Sequence, residues 1–146
     1  MEAAKSFRDL MVWQKAHALV LAIYRMTRAF PREEVYALTN QFRRAVVSVP
    51  ANIAEGFVKR STFDKLRFYN TAQGSLEECR YYLILSQDLG YSEITDQQMQ
   101  QLDEVSRMLE AYVATIASKG KRRLYSLLFW LLAPGSWLLT TVATQH

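Results

Sequence analysis

Apolar residues recur along most of this chain at alternating steps of three and four, the spacing that holds one face of a helix against a core. Val12, Ala16, Leu19, Ile23, Met26 and Phe30 form the first such seam, and Pro31 predicts its end near Phe30. A second runs from about Glu33 through Leu38, Phe42, Val46, Val49 and Ile53, a third through Tyr69, Ala72, Leu76, Cys79 and Leu83, and a fourth through Leu102, Val105, Leu109, Tyr112 and Ile116. Start signals accompany them. Ser6 with Asp9, Ser61 with Asp64 and Thr95 with Gln98 have capping-box spacing, acidic residues open the second segment, and Gly90 stands where the third helix needs a C-terminal cap. No segment shows sustained strand alternation. Seams of this period joined by short loops predict an all-α, antiparallel up-and-down four-helix bundle.

The stretch "RRAVVSVPANIAEG", Arg43–Gly56, places a proline inside the second seam. In a helix interior that costs about 3 kcal/mol, because Pro50 lacks the N–H that would reach the Val46 carbonyl and its ring crowds that carbonyl. One resolution is two helices, with Asn52 as N-cap and Glu55 completing a capping box. The other is one kinked helix, favoured because Phe42, Val46, Val49 and Ile53 keep their phase across Pro50. An unbroken helix also aligns Arg44, Ser48, Asn52, Glu55 and Lys59 on one face. That line has two readings. Arg44 and Glu55 pair with neighbouring helices, for instance at Glu77 or Glu78, and fix helix order. Alternatively Arg43, Arg44, Lys59, Arg60, Lys65 and Arg67 line a phosphate-binding surface. Gly56 and Gly74 are expected at close helix approaches, since neither has the glycine pattern of a nucleotide cradle.

Charge sharpens the picture. The 146 residues carry a net charge of +4, but four cations sit in "KGKRR", Lys119–Arg123, and the rest of the chain has 14 of each sign. Residues 1–67 carry +6 and residues 68–118 carry −6. A basic half beside an acidic half suits self-association as well as nucleic-acid binding. Beyond the run lies "LYSLLFWLLAPGSWLLTTVA", Leu124–Ala143, with no charge over 20 residues. At helical rise it is long enough to cross a bilayer, with flanking cations that would hold the bundle on the cytoplasmic side. Pro134-Gly135 divides it into halves too short to span, so the alternative is an apolar extension packed on the bundle or on a neighbouring subunit. The expected division is a bundle over residues 1–118 and a basic linker with apolar tail over 119–146. The lone cysteine excludes an intrachain disulfide, and the N-terminus lacks a signal-peptide pattern; both favour the cytoplasm.

Candidate chemistry is sparse. His17 and His146 are the only histidines, and neither has the Glu spacing of a di-iron bundle. One cysteine cannot build a zinc site, and Cys79 on an apolar seam reads as a small buried hydrophobe. Glu77 and Glu78 point to different sides of a helix. No catalytic residue, metal site or cofactor is expected.

Three phrases carry a resemblance: "FRDLMVWQKAHAL", "FPREEVYALTNQFRRAVVSVPANIAEGFVKRS" and "FYNTAQGSLEECRYYLILSQDLGY". Together they resemble, over about Phe7–Ile116, the bacterial four-helix-bundle family of the 23S rRNA intervening-sequence proteins, encoded within large-subunit ribosomal RNA genes. A more distant branch includes the accessory variability determinant of diversity-generating retroelements, which forms pentameric barrels and binds a reverse transcriptase and RNA. The resemblance implies a proline-kinked second helix, a homo-oligomer with a pentameric ring favoured, and RNA, DNA or a reverse transcriptase as partner. Its motif falls on Trp13, Gln14, Arg43, Arg44, Ser48, Pro50, Asn52, Ile53, Glu55, Gly56, Gly74, Ser75 and Glu77, and gives none of them a catalytic role. The expected function is a non-enzymatic, ring-forming module that engages nucleic acid, or a protein handling it, through basic faces of the first two helices. The alternatives are a purely structural scaffold oligomer, whose +6 and −6 halves meet between neighbours, and tethering to a membrane by Leu124–Ala143.

Overall fold

The computed structural model describes residues 3–92 and 96–132, the latter with side chains through Phe129. Four helices make the fold: α1 (Met11–Thr27), α2 (Leu38–Val58), α3 (Thr62–Asp88) and α4 (Asp96–Leu132), with 3-10 turns at Phe7–Asp9 and Arg32–Tyr36. No strand occurs among the described residues. Each helix packs on the next and α4 closes back on α1, while the diagonal pairs stay apart. This is an antiparallel up-and-down bundle.

The core lies where the periodicity puts it. Val12, Ala16, Leu19, Ile23, Phe42, Val46, Val49, Ile53, Tyr69, Ala72, Leu76, Cys79, Leu83, Leu102, Val105 and Leu109 are all buried. Met26, Tyr112 and Ile116 pack against the rim of that cluster. α2 runs unbroken through Pro50, which is itself buried. Val46, Val49 and Ile53 are fully buried on either side of it. Burying each such side chain stabilises by about 1.5–3 kcal/mol, enough to offset the proline.

Boundaries differ from the sequence expectation, each for a visible reason. The Ser6 box forms, with Arg8 N–H donating to Ser6 Oγ (3.1 Å) and Ser6 N–H to Asp9 (2.8 Å), but it caps the 3-10 turn ahead of α1. α1 ends at Thr27 because its last turn tightens, with the Arg28, Ala29 and Phe30 amides each bonding three residues back. The second helix begins at Leu38, not Glu33. Glu34 caps it from outside, its carboxylate accepting from Leu38 N–H (3.0 Å) and from the Tyr91 hydroxyl (2.8 Å). α3 opens as expected at Ser61, whose Oγ accepts from Asp64 N–H (3.0 Å). It closes in a Schellman motif: Gly90 has φ +72°, its N–H bonds the Gln87 carbonyl, and Tyr91 N–H bonds that of Ser86. The Thr95 cap and Pro134-Gly135 lie outside the described residues.

α4 is the outlier. Its 37 residues extend about 55 Å, well past its partners, and it passes through Ser118–Lys119 without interruption. The expected basic linker is therefore helical as far as Leu132. From Lys121 to Phe129 every side chain is exposed, so this part of the extension does not pack on the bundle. Among the described residues no helix is long and apolar enough to cross a membrane.

The two internal glycines part company. A Cβ on Gly56 would lie 2.5 Å from the Tyr69 ring, so α2 and α3 approach here only because none is present. Gly74, by contrast, is exposed with nothing within 4 Å, and the close approach expected of it is absent. Gly56→Ala is therefore expected to lower stability by about 1–3 kcal/mol through overpacking, despite a gain in helix propensity. Gly74→Ala should raise it by about 0.5–1 kcal/mol. Urea denaturation of both variants checks the opposite signs.

Candidate nucleic-acid interface

The polar line of α2 is occupied structurally at its centre. Asn52 Nδ2 donates to the Ser48 carbonyl (2.8 Å) and to Ser48 Oγ (2.9 Å). Across the interface, Ser75 Oγ lies 2.9 Å from Ser48 Oγ and 3.1 Å from the Thr71 carbonyl. With one proton per hydroxyl, every contact is satisfied when Ser48 donates to Ser75 and Ser75 to Thr71. Three motif residues thus form one bridge between α2 and α3. Other motif positions are equally structural. Trp13 packs edge-on against Phe7 at 5.0 Å and stacks on the exposed His17, while Gln14 donates to the Arg8 carbonyl (2.8 Å), fastening the first turn to α1. Ile53 is core, and Gly56 admits Tyr69.

The pairing expected of Arg44 and Glu55 does not form; neither has an ion pair among the described residues. Glu77 instead accepts from Arg80 Nε on its own helix (3.1 Å), and Arg80 Nη1 reaches Asp103 of α4 (2.6 Å). Those bonds, that to Asp103 foremost, raise the Arg80 pKa above its ordinary value. Glu78 accepts from the Tyr82 hydroxyl (2.8 Å), and Arg44 faces the same shallow groove as Glu78 without closing on it. The ion pairs that join helices are Arg80–Asp103, from α3 to α4, and Lys15–Glu104 (2.9 Å), from α1 to α4, and Arg44 is in neither.

The six basic candidates do not form one surface. Arg43 Nε donates to Thr27 Oγ1 (2.9 Å), with its guanidinium 4.8 Å from the Tyr24 ring, on the α1 side. Lys65 is committed to the end of α2, donating to the Phe57 carbonyl (2.6 Å) and the Gly56 carbonyl (3.3 Å). It thereby satisfies terminal carbonyls and complements the helix dipole. Desolvation lowers its pKa. Arg44 stands alone at mid-helix. Lys59, Arg60 and Arg67 remain, grouped at the α2–α3 turn, with Lys59 and Arg67 at 4.8 and 5.4 Å from the Phe68 ring.

That turn has company the sequence reading missed. A Cβ on Gly120 would lie 2.9 Å from Thr62 Cγ2, so α4 touches the start of α3 there. The contact carries Lys119, Lys121, Arg122 and Arg123 to the same end of the bundle as Lys59 and Arg60. The signal was available: an antiparallel α4 about as long as α3 must return to Ser61 near residue 120. Beyond the cations, Leu124, Tyr125, Leu127, Leu128 and Phe129 are exposed, Phe129 by 74%. Elsewhere, the Cys79 thiol is pushed up to about 12, chiefly by burial, and stays protonated at neutral pH. Among the described residues, no three His, Cys, Asp or Glu side chains group closely enough to hold a metal ion.

An antiparallel four-helix bundle with a proline inside its second helix, a polar bridge behind it and one strongly basic end defines a class of small helical modules. The family model described as 23S rRNA-intervening sequence protein matches residues 8–111, and the chain belongs to that family. The match stops before Lys119–Arg123. No curated protein matches the chain. Among solved structures, it is similar to a protein of unknown function from the S23 ribosomal protein family of Bacteroides thetaiotaomicron. Identity is 20% and the TM-score 0.53, over 76% of this chain and 99% of that one, a likeness of fold.

Two substitutions separate structure from surface. Asn52→Ala is expected to cost about 1 kcal/mol, because Ser48 Oγ loses the donor that completes its half-buried bridge to Ser75. Lys65→Met should cost about 1 kcal/mol by leaving the α2 carbonyls uncapped. Thermal denaturation reads both. Neither should change nucleic-acid affinity by more than about twofold, since neither removes an exposed cation.

Proposed function

We propose that the protein acts by binding rather than catalysis, engaging nucleic-acid phosphates through the basic end of the bundle. The observation that carries this reading is the contact of Gly120 with Thr62, which gathers the 119–123 cations beside Lys59, Arg60 and Arg67. Exposed Lys and Arg bind phosphates without reading base sequence, and the Phe68 ring and exposed Phe63 add flat apolar surface where bases stack. The acids nearest in sequence are Glu55 and Asp64, and Asp64 already accepts from Ser61 Oγ (2.6 Å). RNA, DNA, or a nucleic-acid-handling protein such as a reverse transcriptase carrying RNA, is the partner class.

The proposal includes self-association, with a pentameric ring favoured. Five large apolar side chains exposed between Leu124 and Phe129 favour it, as does the opposition of a basic first half and an acidic second half. A ring would present several basic ends in one field and raise affinity through multivalency. A scaffold without nucleic acid is the second reading, supported by the same apolar surface.

Fluorescence anisotropy with single-stranded RNA from 50 to 200 mM salt tests the leading reading. Affinity should fall steeply, and neutralising Lys119, Lys121, Arg122 and Arg123 to Gln should flatten the log–log slope by about 2–3, at roughly 0.7 per lost phosphate contact. Arg44→Gln should leave that slope nearly unchanged. Absence of binding at 50 mM salt contradicts the reading. Sedimentation of the full chain and of Leu124→Gln/Leu128→Gln/Phe129→Gln should give an oligomer and a smaller species respectively; a monomeric full chain contradicts the assembly.

A further inference from the structure

At the other end of α2, about 30 Å from the basic end, a second cationic feature is built differently. The end of α1, the Arg32–Tyr36 turn and the first turn of α2 border a half-open cavity of about 260 Å³. Arg28, Arg32 and Arg43 line it together with Thr39 and Asn40. It lies just below the range of about 300–1,000 Å³ typical of whole small-molecule sites, a size for one compact group.

Three observations converge on the charge of that group. Arg43 is preorganised: its Nε is bound to Thr27 and its plane held on Tyr24, and its η nitrogens take no partner among the described residues. Arg28 and Arg32 are exposed and make no ion pair among the described residues. Thr39 also lines the cavity, and its Oγ1 is buried without a hydrogen-bond partner among the described residues. An unmet buried hydroxyl costs about 1–3 kcal/mol, which a ligand acceptor would recover once rotation about χ1 turned Oγ1 to the cavity. The local acids are Glu33 and Glu34. Neither lines the cavity, and the Glu34 carboxylate is already taken by Leu38 N–H and the Tyr91 hydroxyl.

We infer that this cavity binds a phosphomonoester dianion, with Arg28, Arg32 and Arg43 around its terminal oxygens and Thr39 donating to one of them. Three forked guanidiniums match a group with three terminal oxygens better than they match a diester, which offers two. The site does not depend on the basic end of the bundle, so either reading can fail alone. Both a free nucleotide and the 5′ end of a nucleic acid carry this group.

Isothermal titration with inorganic phosphate, a nucleoside 5′-monophosphate, and one short oligonucleotide with and without a 5′-phosphate tests it. Saturable binding of phosphate and the monophosphate is expected, weakened at least tenfold by Arg28→Ala/Arg32→Ala and several-fold by Thr39→Val. Arg28→Lys/Arg32→Lys should recover only part of the loss, and circular dichroism of the exposed-arginine variants should match the parent. Preference for the 5′-phosphorylated oligonucleotide, retained when Lys119–Arg123 are neutralised, assigns the source as a nucleic-acid end; equal binding of the two oligonucleotides assigns a free phosphomonoester. No saturable binding at millimolar phosphate overturns the inference, as does binding indifferent to Arg28 and Arg32.

Discussion

Where α2 crosses α3, the Tyr69 ring occupies the space that a side chain on Gly56 would fill. That single absence sets how closely the two helices approach, and other features follow from the distance. Ser48 and Ser75 come within hydrogen-bonding range one face away, and Lys65 reaches back over the end of α2 to its last carbonyls. The proline belongs to the same arrangement. Pro50 weakens α2 as an isolated helix, but Val46, Val49 and Ile53 are fully buried around it, so packing against α3 holds the helix together. α2 is stable as part of a pair.

This arrangement sets the polar contacts of the inner seam apart from the exposed cations. Serine and asparagine side chains with fixed partners line the α2–α3 seam, where they specify geometry more than they stabilise it. Exposed cations gather at both ends, where helix antiparallelism stacks the termini of different segments. One end receives Lys59 and Arg60 from the α2–α3 turn and Lys119–Arg123 from the overhanging α4. The other receives Arg28 and Arg32 from the α1–α2 connection. The α4 extension carries exposed apolar surface past the region matched by the family model.

The four seams were legible in the sequence because burial follows period, and period survives local detail. The polar line of α2 was legible too, for the same reason. What escaped depends on contacts between distant residues. Glu34 is held by Tyr91, 57 residues away, and nothing local predicts that it would delay α2 to Leu38. Gly56 and Gly74 are alike as letters, yet one faces Tyr69 and the other solvent. Among the six basic candidates, Lys65 and Arg43 differ from Arg60 only in the acceptors that folding brings to them. The converse error was to set Lys119–Arg123 aside as a linker, when counting residues along an antiparallel helix places them beside the α2–α3 turn.

α2 is one rod, held through its proline by α3, with its inner polar face spent on structure. Native-state amide hydrogen exchange tests it most directly. Amides of α2 from Phe42 to Gly56 and of α3 from Tyr69 to Leu83 should open together, with the free energy of global unfolding, while α4 beyond Gly120 exchanges with little protection. A separate, lower-energy opening of Ile53–Val58, dividing α2 at Pro50, would contradict it.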